Sequence, residues 1–129
     1  MEDHKNEIIL ILAGYQKEME NFLQTNPGLR SRFPIHIDFP DYNQQELLHI
    51  AEQICAKRQY TLSSDTQVAL LKLLLQQSNI DENFGNARTV RNMIEQAIRH
   101  QAVRLMAKGN ITRQELIQIE PDDLKGVKE

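Results

Sequence analysis

Between Ala87 and Lys108, apolar side chains return every three or four residues: Val90, Met93, Ile94, Ala97, Ile98 and Leu105, with Gln101 in the same row. That is the 3.6-residue period of an α-helix with one face against a core. A helix of this length needs partners along most of one side, so the rest of the chain has to supply them. Gly109-Asn110 stops it.

The partners are legible on both sides of it. Asn43 with Glu46 makes a capping-box pair, followed by Leu47, Ile50, Ala51 and Ile54 at helical spacing. Ser64 with Gln67 opens a second helix, with an expected inward stripe of Val68, Leu71, Leu74 and Leu75. A loop holding Asn79, Asp81, Asn83 and Gly85 leads into the long helix. After it, Thr112 with Glu115 caps a short last helix that ends before Pro121. Residues 41–129 therefore read as an all-α unit of four helices.

Residues 1–40 follow a different pattern. Ile8 to Ala13 is a continuous apolar run of strand length, the signature of a strand covered on both faces in a parallel sheet. Gly14 ends it. Met19, Phe22 and Leu23 mark one face of a short helix from about Gln16 to Gln24, and Asn26-Pro27-Gly28 makes a turn. Ile35, Ile37 and Phe39 then alternate with His36 and Asp38 as a second strand closed by Pro40. The fold class expected is an α/β fragment, strand-helix-strand, followed by a four-helix all-α unit, mostly helical overall. Two strands cannot bury Ile8 to Ala13 on both faces, so the fragment reads as part of a larger sheet.

Composition narrows the function. Charged residues make up 26% of the chain and its net charge is −3, which argues against a protein devoted to coating nucleic acid or an anionic membrane. The lone Cys55 has no internal disulfide partner and falls among apolar helix positions, so an inert buried thiol in a reducing compartment is expected. No apolar run is long enough to span a bilayer, and Glu2, Asp3, His4 and Lys5 do not resemble a signal peptide's basic start. A cytoplasmic location is the expectation. His4, His36, His49 and His100 are scattered, with no second ligand at zinc spacing.

Chemistry concentrates in two short stretches. One is Asn26-Pro27-Gly28-Leu29-Arg30-Ser31-Arg32-Phe33-Pro34, where two arginines sit between a turn and a strand. The other is Phe84-Gly85-Asn86-Ala87-Arg88-Thr89-Val90-Arg91-Asn92, which places Arg88 on the first turn of the long helix. With Ile9 to Tyr15, Met19, Phe22-Leu23, Phe39 to Tyr42, Glu46-Leu47, Gln101-Ala102 and Arg104-Leu105, the order and spacing resemble AAA+ ATPases. The resemblance is strongest to the branch holding a stage V sporulation protein and the red-type Rubisco activase, and Leu29 and Gly85 favour the sporulation side. It covers nearly the whole chain and places residues 1–40 at the C-terminal end of the α/β core and 41–129 in the helical lid.

That resemblance implies roles residue by residue. Arg32 takes the place of the arginine finger, which enters a neighbouring subunit's ATP site, and Arg30 is its companion. A guanidinium suits this, being planar, always charged and able to donate to two phosphate oxygens at once. Arg88 takes the place of the sensor-2 arginine. Arg91, one helical step on, either shares the phosphate or pairs with an acid. At the sensor-1 position, commonly a polar residue such as Asn, this chain has Gly14-Tyr15, where Tyr15 either orients a water or packs. The same resemblance implies ATP and Mg2+ as cofactors of the complete protein, a hexameric ring, a protein substrate, and no nucleic acid or membrane partner.

None of the five glycines begins a G-x-x-x-x-G-K-[ST] phosphate loop, and no apolar strand ends in Asp-Glu to hold magnesium. Hydrolysis by this chain alone, or tight nucleotide binding, is not expected. Met1-Glu2-Asp3 resembles an internal stretch of the family, so the start reads as a cut. The competing reading is a free-standing helical interaction module, which has no use for R-x-R after Pro-Gly or for Arg88 on a first turn. A helix-turn-helix DNA reader is disfavoured, because Arg88, Arg91, Arg99 and Arg104 do not form one stripe and the chain is acidic.

Overall fold

The long amphipathic helix organises the core. In the computed structural model, which describes residues 8–80 and 85–127, it runs from Ala87 to Lys108 and is labelled α5 below. Every residue expected on its inner face is buried, Val90, Met93, Ile94, Ala97, Ile98, Gln101 and Leu105, and Thr89 joins them. The chain divides into two compact units, residues 1–40 and 41–129.

In the second unit, helix α3 (Gln44–Lys57) begins with the expected capping box. The Glu46 amide donates to Asn43 Oδ1 at 2.8 Å and the Asn43 amide donates to Glu46 Oε1 at 3.0 Å. Two of the helix's orphan donors are satisfied at once. Leu47, Ala51 and Cys55, spaced four apart, are buried against α5, while Ile50 and Ile54 flank them half-buried. The helix ends at Arg58, and Gln59 takes a left-handed φ of 63° that turns the chain toward β1, Thr61–Leu62.

Helix α4 (Ser64–Ile80) departs from the expected phase. Its amide cap is Ser63, not Ser64: the Thr66 amide donates to Ser63 Oγ at 3.2 Å, and the Gln67 amide to the Ser63 carbonyl at 3.0 Å. Thr66, Leu70 and Leu74 form the buried row, Leu71 is half-buried, and Val68 and Leu75 are exposed. The run from Val68 to Leu75 is apolar nearly all round, so its period alone does not select a face. The Thr66 hydroxyl selects it by donating to the Ile119 carbonyl at 2.7 Å. α4 also runs through Asn79 to Ile80, where a loop was expected; Asp81 to Phe84 lie outside the described residues.

The C-terminal end closes the unit. Thr112 caps α6 (Arg113–Ile117), its hydroxyl accepting from the Glu115 amide at 3.2 Å as its sequence implies. The chain then forms β2, Gln118–Ile119, which pairs in parallel with β1, Thr61 opposite Gln118 and Leu62 opposite Ile119. A 3-10 turn at Pro121–Leu124 brings Leu124 and Val127 into the core beside Ile119. Neither the two-residue strands nor this turn was foreseen.

In the first unit, α1 (Gln16–Thr25) forms where expected, and a helical turn, α2 (Leu29–Arg32), stands where a plain loop was read. The mostly helical class is as read from the sequence, but strand pairing is not where it was placed. Among the described residues the sole sheet is β1–β2, and neither Ile8–Ala13 nor Ile35–Phe39 carries a ladder. A strand exists only through backbone pairing with a neighbour. These two segments have none among the described residues, and Ile9, Ile11, Ile35, Ile37 and Phe39 are exposed.

Candidate functional site

The Arg30 and Arg32 segment is built on a glycine. Gly28 takes φ 90°, a conformation an L side chain rarely adopts, and it launches α2 directly from the Asn26-Pro27 turn. The Ser31 hydroxyl donates to the Gly28 carbonyl at 2.8 Å and the Phe33 amide to the Leu29 carbonyl at 3.0 Å, so the turn is closed at both ends. A His36 ring nitrogen donates to the Phe33 carbonyl at 2.7 Å. Leu29 and Phe33 are half-buried, while Arg30 and Arg32 are exposed. Two apart on a helical turn, the two side chains leave the backbone on different sides. Tyr15 is exposed at the N-cap of α1, where its carbonyl receives the Met19 amide at 2.8 Å.

In the second unit, Arg88 is the second residue of α5 and Arg91 follows one helical step later, both exposed. They share a flank of the helix's first turns. That first turn carries no acidic residue, whereas Glu46 stands in the first turn of α3, Asp65 in that of α4 and Glu115 in that of α6. The positive end of the helix dipole and Arg88 thus favour an anion at this end. Arg91 stands four residues before Glu95, and among the described residues no ion pair joins them.

The junction before α5 is tied to the start of the unit. Asn86, with φ 53° and ψ −113°, does not cap its own helix with its side chain. Its Oδ1 instead accepts from the Tyr42 amide at 2.8 Å, and its Nδ2 faces the Tyr42 carbonyl at 3.5 Å. Beside this clamp lies an open cavity of about 550 Å³ lined by Tyr42, Asn43, Leu47, Leu74, Ser78 and Asn86.

Other polar groups are structural. Asp123 is buried and accepts from Arg104 Nε at 2.8 Å and from an Arg104 terminal nitrogen at 3.0 Å. These bonds hold the guanidinium's pKa above its ordinary value. Gln101 Nε2 donates to the carbonyls of Leu116 and Gln118, both at 2.9 Å. Lys108 pairs with Glu115 and Lys125 with Asp122, and each bond lowers its carboxyl pKa. Arg104, one of the four arginines weighed for a DNA reader, is therefore engaged within the chain, as is Lys108. Cys55 is buried as expected, and desolvation pushes its thiol up to about 11. Among the described residues no cluster of His, Cys, Asp and Glu is placed to hold a metal, and no helix is long and apolar enough to cross a membrane.

Sequence reasoning found Arg88 and Arg91 at a helix start but missed Asn86 and Asp123 as organising residues. Asn86 had a visible signal, because Asn is among the few residues that tolerate a positive φ.

Residues 43–129 match the AAA lid domain family. Stage V sporulation protein K of Bacillus subtilis is 45% identical over 126 residues, covering 96% of this chain and 39% of that protein. The CfxQ homolog of Galdieria sulphuraria is 40% identical, covering 96% of this chain and 41% of its own length. The CbbX protein of Cereibacter sphaeroides is 36% identical over 127 residues, covering 97% and 41%. The chain thus spans between 39% and 41% of the length of these relatives.

Proposed function

Since the chain belongs to the AAA lid domain family, in the branch of stage V sporulation protein K, CfxQ and CbbX, we propose that it senses nucleotide and bridges subunits in a ring-forming AAA+ ATPase. Residues 1–40 are the end of the α/β core and 41–129 the lid. Arg88 faces the phosphates of ATP bound by its own subunit, and Arg91 supports it on the same flank. Arg32 reaches the neighbouring subunit's ATP, with Arg30 as its companion. Tyr15, at the N-cap of α1, occupies the sensor-1 position. Mg2+ accompanies ATP and is held by groups outside this chain. The ring works on a protein partner in the cytoplasm.

The observation that carries this reading is the first turn of α5: Arg88 exposed at a positive helix end without an acidic residue in that turn. A surface charge placed only for solubility needs no such setting. ATP adds negative charge where the helix end is positive, and closure of the lid over it is the mechanical step available to the ring.

The test is a longer chain that joins these residues to a phosphate loop. Arg88→Ala there should weaken ATP binding. Arg32→Ala should leave binding and assembly intact while cutting hydrolysis by about 10³ or more, as for arginine fingers elsewhere. Arg32→Lys should recover little, because an ammonium cannot reproduce the planar fork. Normal ATP affinity in the Arg88→Ala protein, or normal turnover in the Arg32→Ala protein, would refute the corresponding assignment.

A further inference from the structure

The clamp between Asn86 and Tyr42 joins residues 44 apart in sequence, and it does so at the expense of two local conveniences. Asn is a favoured N-cap residue, yet Asn86 caps nothing with its side chain. Its backbone also sits at φ 53° and ψ −113°, a conformation uncommon for any residue but glycine. Strain of this kind persists where surrounding bonds hold it, and here the bonds run to the Tyr42 backbone.

The position of Tyr42 gives the clamp a mechanical meaning. The segment just before α3 is fixed on one side by the Asn43–Glu46 capping box, whose two bonds are 2.8 and 3.0 Å. On the other side it is fixed by Asn86, one residue ahead of α5. The starts of α3 and α5 are thereby locked together through residues 42 and 43. Arg88, whose amide donates to the Gly85 carbonyl at 3.0 Å, lies in the turn that Asn86 begins. Leu47 and Leu74, both in the core, line the cavity alongside, so the lock stands on packed helices.

We propose that Asn86 is a positioning residue, which fixes Arg88 to the chain segment entering the lid so that the two move as one body. Arg88 thereby keeps a fixed register to the start of α3. This rests on the reading of Arg88 as the nucleotide-facing residue. The lock itself does not.

Asn86→Gly is the informative variant, because glycine accepts the positive φ and removes only the side chain. Asn86→Asp is its control: it keeps an acceptor for the Tyr42 amide and tolerates the same φ. Amide exchange by NMR on the 129-residue chain should show the Tyr42 amide exchanging about three- to tenfold faster in Asn86→Gly, the loss of one hydrogen bond. Asn86→Asp should remain near the parent, and the Leu47 amide, bonded to the Asn43 carbonyl at 2.9 Å, should be unchanged in both. ATP titrated into the same samples should shift the Arg88 amide resonance weakly. Arg88→Ala should abolish the ATP response of the neighbouring amides, and Asn86→Gly should lower the apparent affinity severalfold; Asn86→Asp, which sets a negative charge beside the phosphates, is the control for amide exchange alone. Unchanged Tyr42 exchange in Asn86→Gly would overturn the lock. An intact ATP response in Asn86→Gly, with that response lost in Arg88→Ala, would overturn the positioning role alone. No ATP response at Arg88 in the parent chain would overturn the reading of Arg88, and the positioning role with it.

Discussion

Replacing Arg104 by Met should be among the most damaging single changes at a polar residue of the lid, and its cost follows from what it leaves behind. The Asp123 side chain is 1% exposed and that of Arg104 is 32% exposed. Asp123 accepts two bonds from Arg104 and one from the Glu120 amide at 2.9 Å. Met keeps most of the apolar stem but strands a carboxylate with only the backbone donor. Removing one partner of a fully buried pair costs about 3 to 5 kcal/mol. Because the arginine end of this pair reaches water, about 2 to 4 kcal/mol is expected here. For a domain of this size that is a fall in Tm of roughly 10 to 25 °C. Asp123→Asn should cost less, about 1 to 2 kcal/mol, since the amide oxygen still accepts a bond and the freed guanidinium finds solvent. Combining the two changes removes the stranded charge, so the double variant should be more stable than the sum of the single losses by about 1 to 3 kcal/mol. Urea unfolding followed by helical circular dichroism reads all three. Strict additivity, or an Asp123→Asn variant weaker than Arg104→Met, would refute the argument that the buried carboxylate is the costly partner.

Three further outcomes follow from particular bonds. Asn43→Ala removes one half of the capping box and disrupts the other, and should lower stability by about 1 kcal/mol, read as a shift in the urea midpoint without a change in slope. Gln101→Leu fits the apolar row but deprives the Leu116 and Gln118 carbonyls of their donor, and a loss of about 2 to 4 kcal/mol is expected in the same assay. Cys55 should resist alkylation in the folded chain and react on unfolding. Its thiol pKa is raised from 9.0 to about 11, so burial of the neutral form stabilises fully below pH 9, and that contribution is lost as pH rises from 9 through 11. Urea midpoints measured across that range should fall more steeply than those of Cys55→Ser.

What was legible in the sequence is what local periodicity encodes. The inner face of α5 was read residue by residue because its opposite face is polar, with Arg91, Glu95, Arg99 and Lys108 outside the stripe. The Asn43–Glu46 box and the Thr112 cap were read because both partners lie within one turn, whereas the cap of α4 was placed at Ser64 in place of Ser63. α4 was misphased because Val68 to Leu75 is apolar on nearly every side, and the deciding bond comes from Ile119, 53 residues away. Asp123 and Arg104 lie 19 apart, and Asn86 and Tyr42 lie 44 apart. No periodicity reports such pairs. The apolar run Ile8–Ala13 and the alternation through Ile35, Ile37 and Phe39 carry strand propensity truly enough, but propensity does not supply a neighbouring strand. Of the candidate site, the exposed placement of Arg88 at a helix start was foreseeable. The divergence of Arg30 and Arg32 was not, because it depends on α2 being helical.

The central claim is that Arg32 serves a neighbouring subunit while Arg88 serves its own, and mixed rings test it most directly. Subunits carrying Arg32→Ala with a sound phosphate loop are mixed with subunits whose phosphate-loop lysine is removed, each joined to the residues described above. Neither preparation should hydrolyse ATP appreciably alone. Mixing should restore hydrolysis at the junctions where a sound Arg32 faces a sound phosphate loop. The same experiment with Arg88→Ala in place of Arg32→Ala should restore none, since Arg88 and the phosphate loop belong to one subunit. Mixed rings that assemble but stay inactive in the Arg32 pairing, or that recover activity in the Arg88 pairing, would contradict the account.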